Sequence, residues 1–148
     1  MNIYTRQNDN DLLKYLSEQE INMVNTCSQD MIIEGNILFK YNEKFYCDLA
    51  VIAKGRCEMF IKNSIQDLIP LEEFTVGELL WELPFVMGSK TDLYFKTYDK
   101  LYIVLYKKER LEEFEKTNQL IISKIYAALN DSLCEKNIRI TQKLMRKT

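Results

Sequence analysis

Between residues 31 and 107 the chain breaks into short runs of strand-forming residues: Met31–Ile33, Ile37–Lys40, Asp48–Ala53, Glu58–Ile61, Leu68–Leu71, Asp92–Thr97 and Leu101–Tyr106. Polar turn segments separate them, at Glu34-Gly35-Asn36, Tyr41–Lys44, Lys54-Gly55-Arg56, Asn63–Asp67, Met87–Ser89 and Tyr98–Lys100. Each run is too short for a stable helix, and strands at this spacing describe an all-β sandwich or small barrel. Glu58–Lys62 and Leu93–Lys96 alternate in polarity in part, as strands do when one face is buried. Only 4 glycines and 2 prolines occur in 148 residues, so each is expected to mark a necessary bend.

The flanks are different in texture. In residues 1–30, Leu12, Leu13, Leu16, Ile21, Met23 and Val24 are spread among polar residues. Asp9 or Asn10 is positioned to cap a first short helix, and Ser17 with Glu20 three residues later forms the pattern of a capping box opening a second. After Tyr106, Lys107–Lys116 suits one short helix, and Asn118 is placed to cap a longer one. Along that second helix Ile122, Ile125, Leu129, Leu133, Ile140 and Leu144 recur at intervals of three, four or seven. The stripe is narrow and about 40 Å long at 1.5 Å per residue. It predicts a helix packed on the β region at its start and against a second helix beyond. The three regions (1–30, 31–107 and 108–148) are read as one domain.

Composition removes several functions. With 0 histidines there is no imidazole base, no His-held metal or haem, and no Ser-His-Asp triad. The balance of 20 basic and 22 acidic residues argues against gripping nucleic acid with the whole surface. Cys27, Cys47, Cys57 and Cys134 are scattered and form no paired motif, which reads as reduced thiols rather than a metal site. No apolar stretch approaches the roughly 20 residues that span a bilayer, and no signal peptide pattern opens the sequence. The expectation is a soluble cytoplasmic protein that is not an enzyme.

Four segments carry a family resemblance. Glu34-Gly35-Asn36-Ile37-Leu38-Phe39 resembles the "G-E-x-I-F" entry of cyclic-nucleotide-binding domains, and Asp48–Gly55 resembles their "D-x-x-Y-x-I-x-x-G" strand and turn. Phe74–Leu83 resembles "L-x-x-G-D-x-F-G-E-L", and Leu101–Tyr106 followed by Lys107–Leu111 resembles the last strand and the helix after it. The resemblance covers roughly residues 10–140. It implies a mainly β fold with flanking helices: a double-stranded β-helix, or jelly-roll barrel, with N-terminal helices and a long C-terminal helix. It also implies a non-enzymatic regulatory domain that senses cyclic AMP, cyclic GMP or a related small anionic ligand and relays it through the last helix.

In that family a Gly-Glu pair opens a short helix whose amides cradle the phosphate. The glutamate accepts a ribose hydroxyl, and an arginine some ten residues on neutralises the phosphate. By resemblance the ligand-binding residues here are Gly77, Trp81, Glu82, Leu83, Lys90, Thr91 and Asn137. Trp81 replaces the glycine, Lys90 stands near the arginine position without its planar fork, and Pro84 removes an amide donor. A second register makes Val76-Gly77-Glu78-Leu79 the "F-G-E-L" element, with Glu78 in place of Glu82. Trp81 either stacks on a base or fills the vacated space. Asn137 either reaches a purine or sets the register of a helix pair. Lys136, Arg139, Lys143, Arg146 and Lys147 make the last turns basic, which suits the negative helix end and solubility or a contact with nucleic acid or acidic lipid.

The departures admit another expectation: a degenerate fold serving as a ligand-independent dimerisation or protein-interaction module, or the sensor fragment of a transcription regulator of the catabolite-activator type. A homodimer through residues 118–145 is expected in either case. The helix-turn-helix of such regulators would begin where this sequence ends, so direct DNA reading is not expected of it.

Overall fold

The computed structural model describes residues 10–40, 48–82 and 93–146. Asp9, Cys47, Asp92 and Lys147, and with them the expected turns at 41–44 and 87–89, lie outside the described residues.

Among the described residues there are eight strands: β1 (Ser28–Ile33), β2 (Leu38–Lys40), β3 (Leu49–Lys54), β4 (Cys57–Lys62), β5 (Leu68–Phe74), β6 (Leu79–Leu80), β7 (Leu93–Thr97) and β8 (Leu101–Tyr106). They form two four-stranded sheets, ordered β1-β8-β3-β6 and β2-β7-β4-β5. Every pairing is antiparallel. Apart from β4–β5, neighbouring strands are non-consecutive in sequence, the strand order of a jelly roll.

Side-chain alternation builds two cores. From β3 and β8, Ala50, Ile52, Leu101, Ile103 and Leu105 point inward, meeting Phe39, Met59, Phe74 and Phe95 of the other sheet. On the opposite face of the first sheet, Leu49, Val51, Val104 and Tyr106 pack against the helices. Being buried on both faces, β3 and β8 read as continuous apolar runs. The second sheet alternates: Cys57 and Met59 are buried while Glu58 and Phe60 are more exposed.

Asn10 caps a short 3-10 helix (Asp11–Leu13) by accepting from the Leu12 amide at 3.0 Å. α1 (Glu18–Val24) opens with the reciprocal Ser17–Glu20 capping box. α2 (Lys108–Glu115) is followed by α3 (Gln119–Arg146), of 28 residues. Asn118 does not cap α3 with its side chain; Nδ2 instead donates to the Phe114 carbonyl at 3.2 Å. The first part of α3 joins the helix-side core through Ile122, Ile125 and Leu129. Glu20 of α1 pairs with Lys124 at 2.9 Å and ties the two helical flanks together.

Candidate functional site

The turn between β5 and β6 is set by Gly77 at φ 88°, a conformation glycine adopts without Cβ strain. Its amide donates to the Ile52 carbonyl at 2.8 Å, and its carbonyl accepts from the Asp11 amide at 2.9 Å. Gly77 therefore fastens β3 and the N-terminal 3-10 helix to the site segment, and it is not among the residues lining the cavity described next.

Beyond β6 the chain bends again at Trp81, whose φ is 69°. A bulky residue in the left-handed region costs about 1–2 kcal/mol. The resemblance puts a glycine at this position, and the backbone here has a glycine-like shape under a tryptophan side chain. The indole is 3% exposed and makes edge contacts with Phe39 at 6.4 Å and Phe95 at 6.1 Å.

Trp81 and Glu82 line a cavity of about 490 Å³ between the second sheet and α3. Met59, Phe74 and Phe95 form apolar walls, and Leu133, Asn137 and Ile140 close it from the helix. The stripe read along α3 thus changes partner midway: its first half packs in the core, and Leu133 and Ile140 roof the cavity. Leu144 contributes a side chain outside the described residues. So do the expected ligand residues Leu83, Lys90 and Thr91.

Glu82 is 4% exposed. Its Oε2 accepts from Ser132 Oγ at 2.7 Å and pairs with Lys136 Nζ at 2.7 Å, both on α3. Lys136 also donates to the Leu79 carbonyl and lies 4.3 Å from the centre of the Phe74 ring. Two oxygens and a ring face account for the three N–H directions of an ammonium. Charge pairing continues along the same helix face. Arg139 lies 3.4 Å from Glu78 and 3.7 Å from Glu72, and Lys143 lies 2.9 Å from Glu72. Residues 136, 139 and 143 recur at three- and four-residue steps, the spacing that aligns side chains on one helical face.

Glu78, the glutamate of the second register, does not line the cavity; it accepts from the Thr75 amide and meets Arg139. Asn137 is on the cavity side of an exposed stretch, its Oδ1 accepting from Thr141 at 3.4 Å.

Sequence reasoning missed Ser132 and the inward role of Lys136. The sequence presents the basic turns as a solvated helix end or a contact for nucleic acid or acidic lipid, whereas Lys136, Arg139 and Lys143 face carboxylates. The available signal was a pair of clusters: three cations on one helical face, and four glutamates (Glu72, Glu73, Glu78 and Glu82) within eleven residues.

No family model and no curated protein matches this chain. Solved structures do. A cyclic nucleotide-binding domain from Methylobacillus flagellatus superposes with a TM-score of 0.83 at 11% identity, covering 90% of this chain and 75% of that one. The fold is that of the cyclic-nucleotide-binding domains. The Thermus thermophilus catabolite activator protein matches at TM-score 0.72 and 15% identity, over 89% of this chain and 62% of its own. The regulatory subunit of a cAMP-independent protein kinase A from Trypanosoma brucei, a mutant bound to cAMP, matches at 0.68 and 12%, over 85% and 44%. The chain thus spans less than two thirds of these last two proteins. Among the described residues there is no group of His, Cys, Asp and Glu able to hold a metal, and no helix long and apolar enough to cross a membrane.

Proposed function

We propose that this chain is a non-enzymatic, cytoplasmic regulatory module in which the carboxylate that the resemblance gives to a nucleotide is engaged instead by the protein's own helix. The observation that carries this is the Glu82–Lys136 pair. The carboxylate expected to accept a ribose hydroxyl already has Ser132 and Lys136 on one oxygen, with side chains 4% and 11% exposed for Glu82 and Lys136. A nucleotide must displace an ammonium that is fully coordinated and a carboxylate that is buried beside it. Such a pair costs several kcal/mol to split because each charge is left without water. The pairs at Glu72 and Glu78 extend the latch along α3. The Trypanosoma protein, described as cAMP-independent, has the same fold.

Regulation follows from the position of the latch. Whatever moves the second half of α3 must exchange these pairs, and a partner shifts that equilibrium only as far as it favours one helix position. The expected homodimer supplies such a partner: Ile138 and Met145 are 58% and 70% exposed on α3. Light scattering should return a dimer, and Ile138→Asp a monomer; a wild-type monomer at high concentration overturns this part.

Calorimetric titration with cyclic AMP and cyclic GMP tests the main reading. No heat and no melting shift at millimolar nucleotide is the expected result, since ligand far above its dissociation constant stabilises the fold it binds. Binding that Glu82→Ala abolishes would establish the second reading, cyclic AMP or cyclic GMP sensing, which is favoured by Glu82 standing on the cavity wall.

A further inference from the structure

The latch accounts for Glu82 and Lys136, but a cavity remains beside the pair. About 490 Å³ of space remains under Leu133 and Ile140, against walls that are largely aromatic and aliphatic. An apolar void of about 150 Å³ already takes benzene, and ligand pockets run from about 300 to 1,000 Å³. The cavity is thus of ligand size.

Its polar content is restricted. Of the described residues that line it, only Glu82 and Lys136 carry charge, and they are paired at 2.7 Å. Together they are neutral. An anion entering this space adds an uncompensated charge among apolar side chains, or else must take Lys136 from Glu82. An uncharged molecule disturbs nothing. Hydrogen-bonding groups on the described lining belong to Trp81, Glu82, Lys136 and Asn137; Ser132 and Lys136 both bond Glu82 Oε2, while Oε1 accepts from none of the described residues. A ligand hydroxyl or N–H donor satisfies that oxygen; a ligand carboxylate or phosphate repels it.

We propose that the cavity between the second sheet and α3 is a binding site for an uncharged molecule with an aromatic or aliphatic body and one hydroxyl or N–H donor directed at Glu82. Leu133 and Ile140 then seal it from the helix, so occupancy strengthens the seat of α3 without opening the latch. This goes beyond the nucleotide-independent reading and rests on it in one respect, the closed Glu82–Lys136 pair.

Trp81 is the only tryptophan in the chain and lines the cavity, so its emission reports occupancy directly. The probes are 3-phenylpropanol and 3-phenylpropionate, which share one body and differ in the charge of the handle. Each is titrated at neutral pH into the wild-type chain while Trp81 emission and melting temperature are followed. The alcohol should shift the emission and raise the melting temperature, with the carboxylate at least tenfold weaker. Leu133→Trp fills the space and should remove both responses while circular dichroism shows the fold intact; if that variant does not fold, Ile140→Trp is read in the same way. The proposal is overturned if the carboxylate binds as well as the alcohol, if the alcohol response survives in the filled cavity, or if millimolar alcohol gives no response. Nucleotide binding in the earlier titration overturns the latch reading, and the alcohol-to-carboxylate ratio, measured separately, decides the preference for an uncharged ligand.

Discussion

Removing Lys136 measures the latch. In Lys136→Met the stem is replaced at similar length, and Glu82 keeps Ser132 as a partner but loses its counter-charge in a place where it is 4% exposed. Breaking a buried pair from one side costs about 3–5 kcal/mol, because the remaining charge is neither hydrated nor paired. At about 2–4 °C per kcal/mol for a chain near this size, the melting temperature should fall by roughly 6–20 °C. The double variant Glu82→Gln/Lys136→Met removes both charges and leaves an amide able to accept from Ser132. It should recover most of the loss, since replacing both members of a buried pair by neutral groups is often near neutral. Thermal melts followed by circular dichroism, with urea melts followed by Trp81 fluorescence, give both numbers. A loss below about 1 kcal/mol in the single variant would mean the pair behaves as an exposed one. A double variant as unstable as the single would mean that the Lys136 stem against Phe74, not the charge, holds the helix. Either result refutes the reasoning. By the same argument Lys143→Met, at a site 46% exposed, should cost less than about 1 kcal/mol.

Trp81→Gly should relieve about 1 kcal/mol of left-handed backbone strain but forfeit about 3–5 kcal/mol of buried indole, a net loss that a urea melt reads and that a more stable variant would contradict. Burial pushes the Cys57 thiol up to about 12, so about one in 10⁴ is thiolate at pH 8. Iodoacetamide on the native protein should therefore label exposed Cys134 and spare Cys57 in peptide mapping. Glu20 is held below its ordinary carboxyl range, first by the Ser17 amide and then by Lys124. Its contribution is complete above the unfolded value and is lost as pH falls through the folded one. The melting-temperature gap between wild type and Glu20→Gln should therefore be widest near neutral pH and close on acidification; a gap that widens in acid would reverse the sign of this account.

How far the sequence reached depended on whether a signal was local. The capping box at Ser17–Glu20, the strand β8 and the short helix α2 were each legible because their causes sit within a few residues: a cap three positions from its partner, a run of apolar β-formers, a change of period. β6 was not, for two buried leucines have no alternation to display. β5 was read as ending at Leu71 because Glu72 and Glu73 look like the close of a strand; in the fold Glu72 is 9% exposed and faces Lys143 from α3, seventy-one residues on. The site failed in the same manner. Glu82, Trp81 and Asn137 were found because a resemblance pointed at them, and the structure puts all three on one cavity. Lys136 adjoins Asn137 and was set aside as surface charge. What gives it a role is the position of Glu82 across a packed interface, which no window of sequence contains. The general consequence concerns basic helix ends. When three cations at i, i+3 and i+7 occur in a chain that also crowds four glutamates into one strand-and-turn segment, the two sets are better read as candidates for each other than as two solvated surfaces. In this protein that pairing places a cation where a ligand's neighbour was expected, and it turns the question of what the domain binds into a question of what can enter without disturbing Glu82 and Lys136.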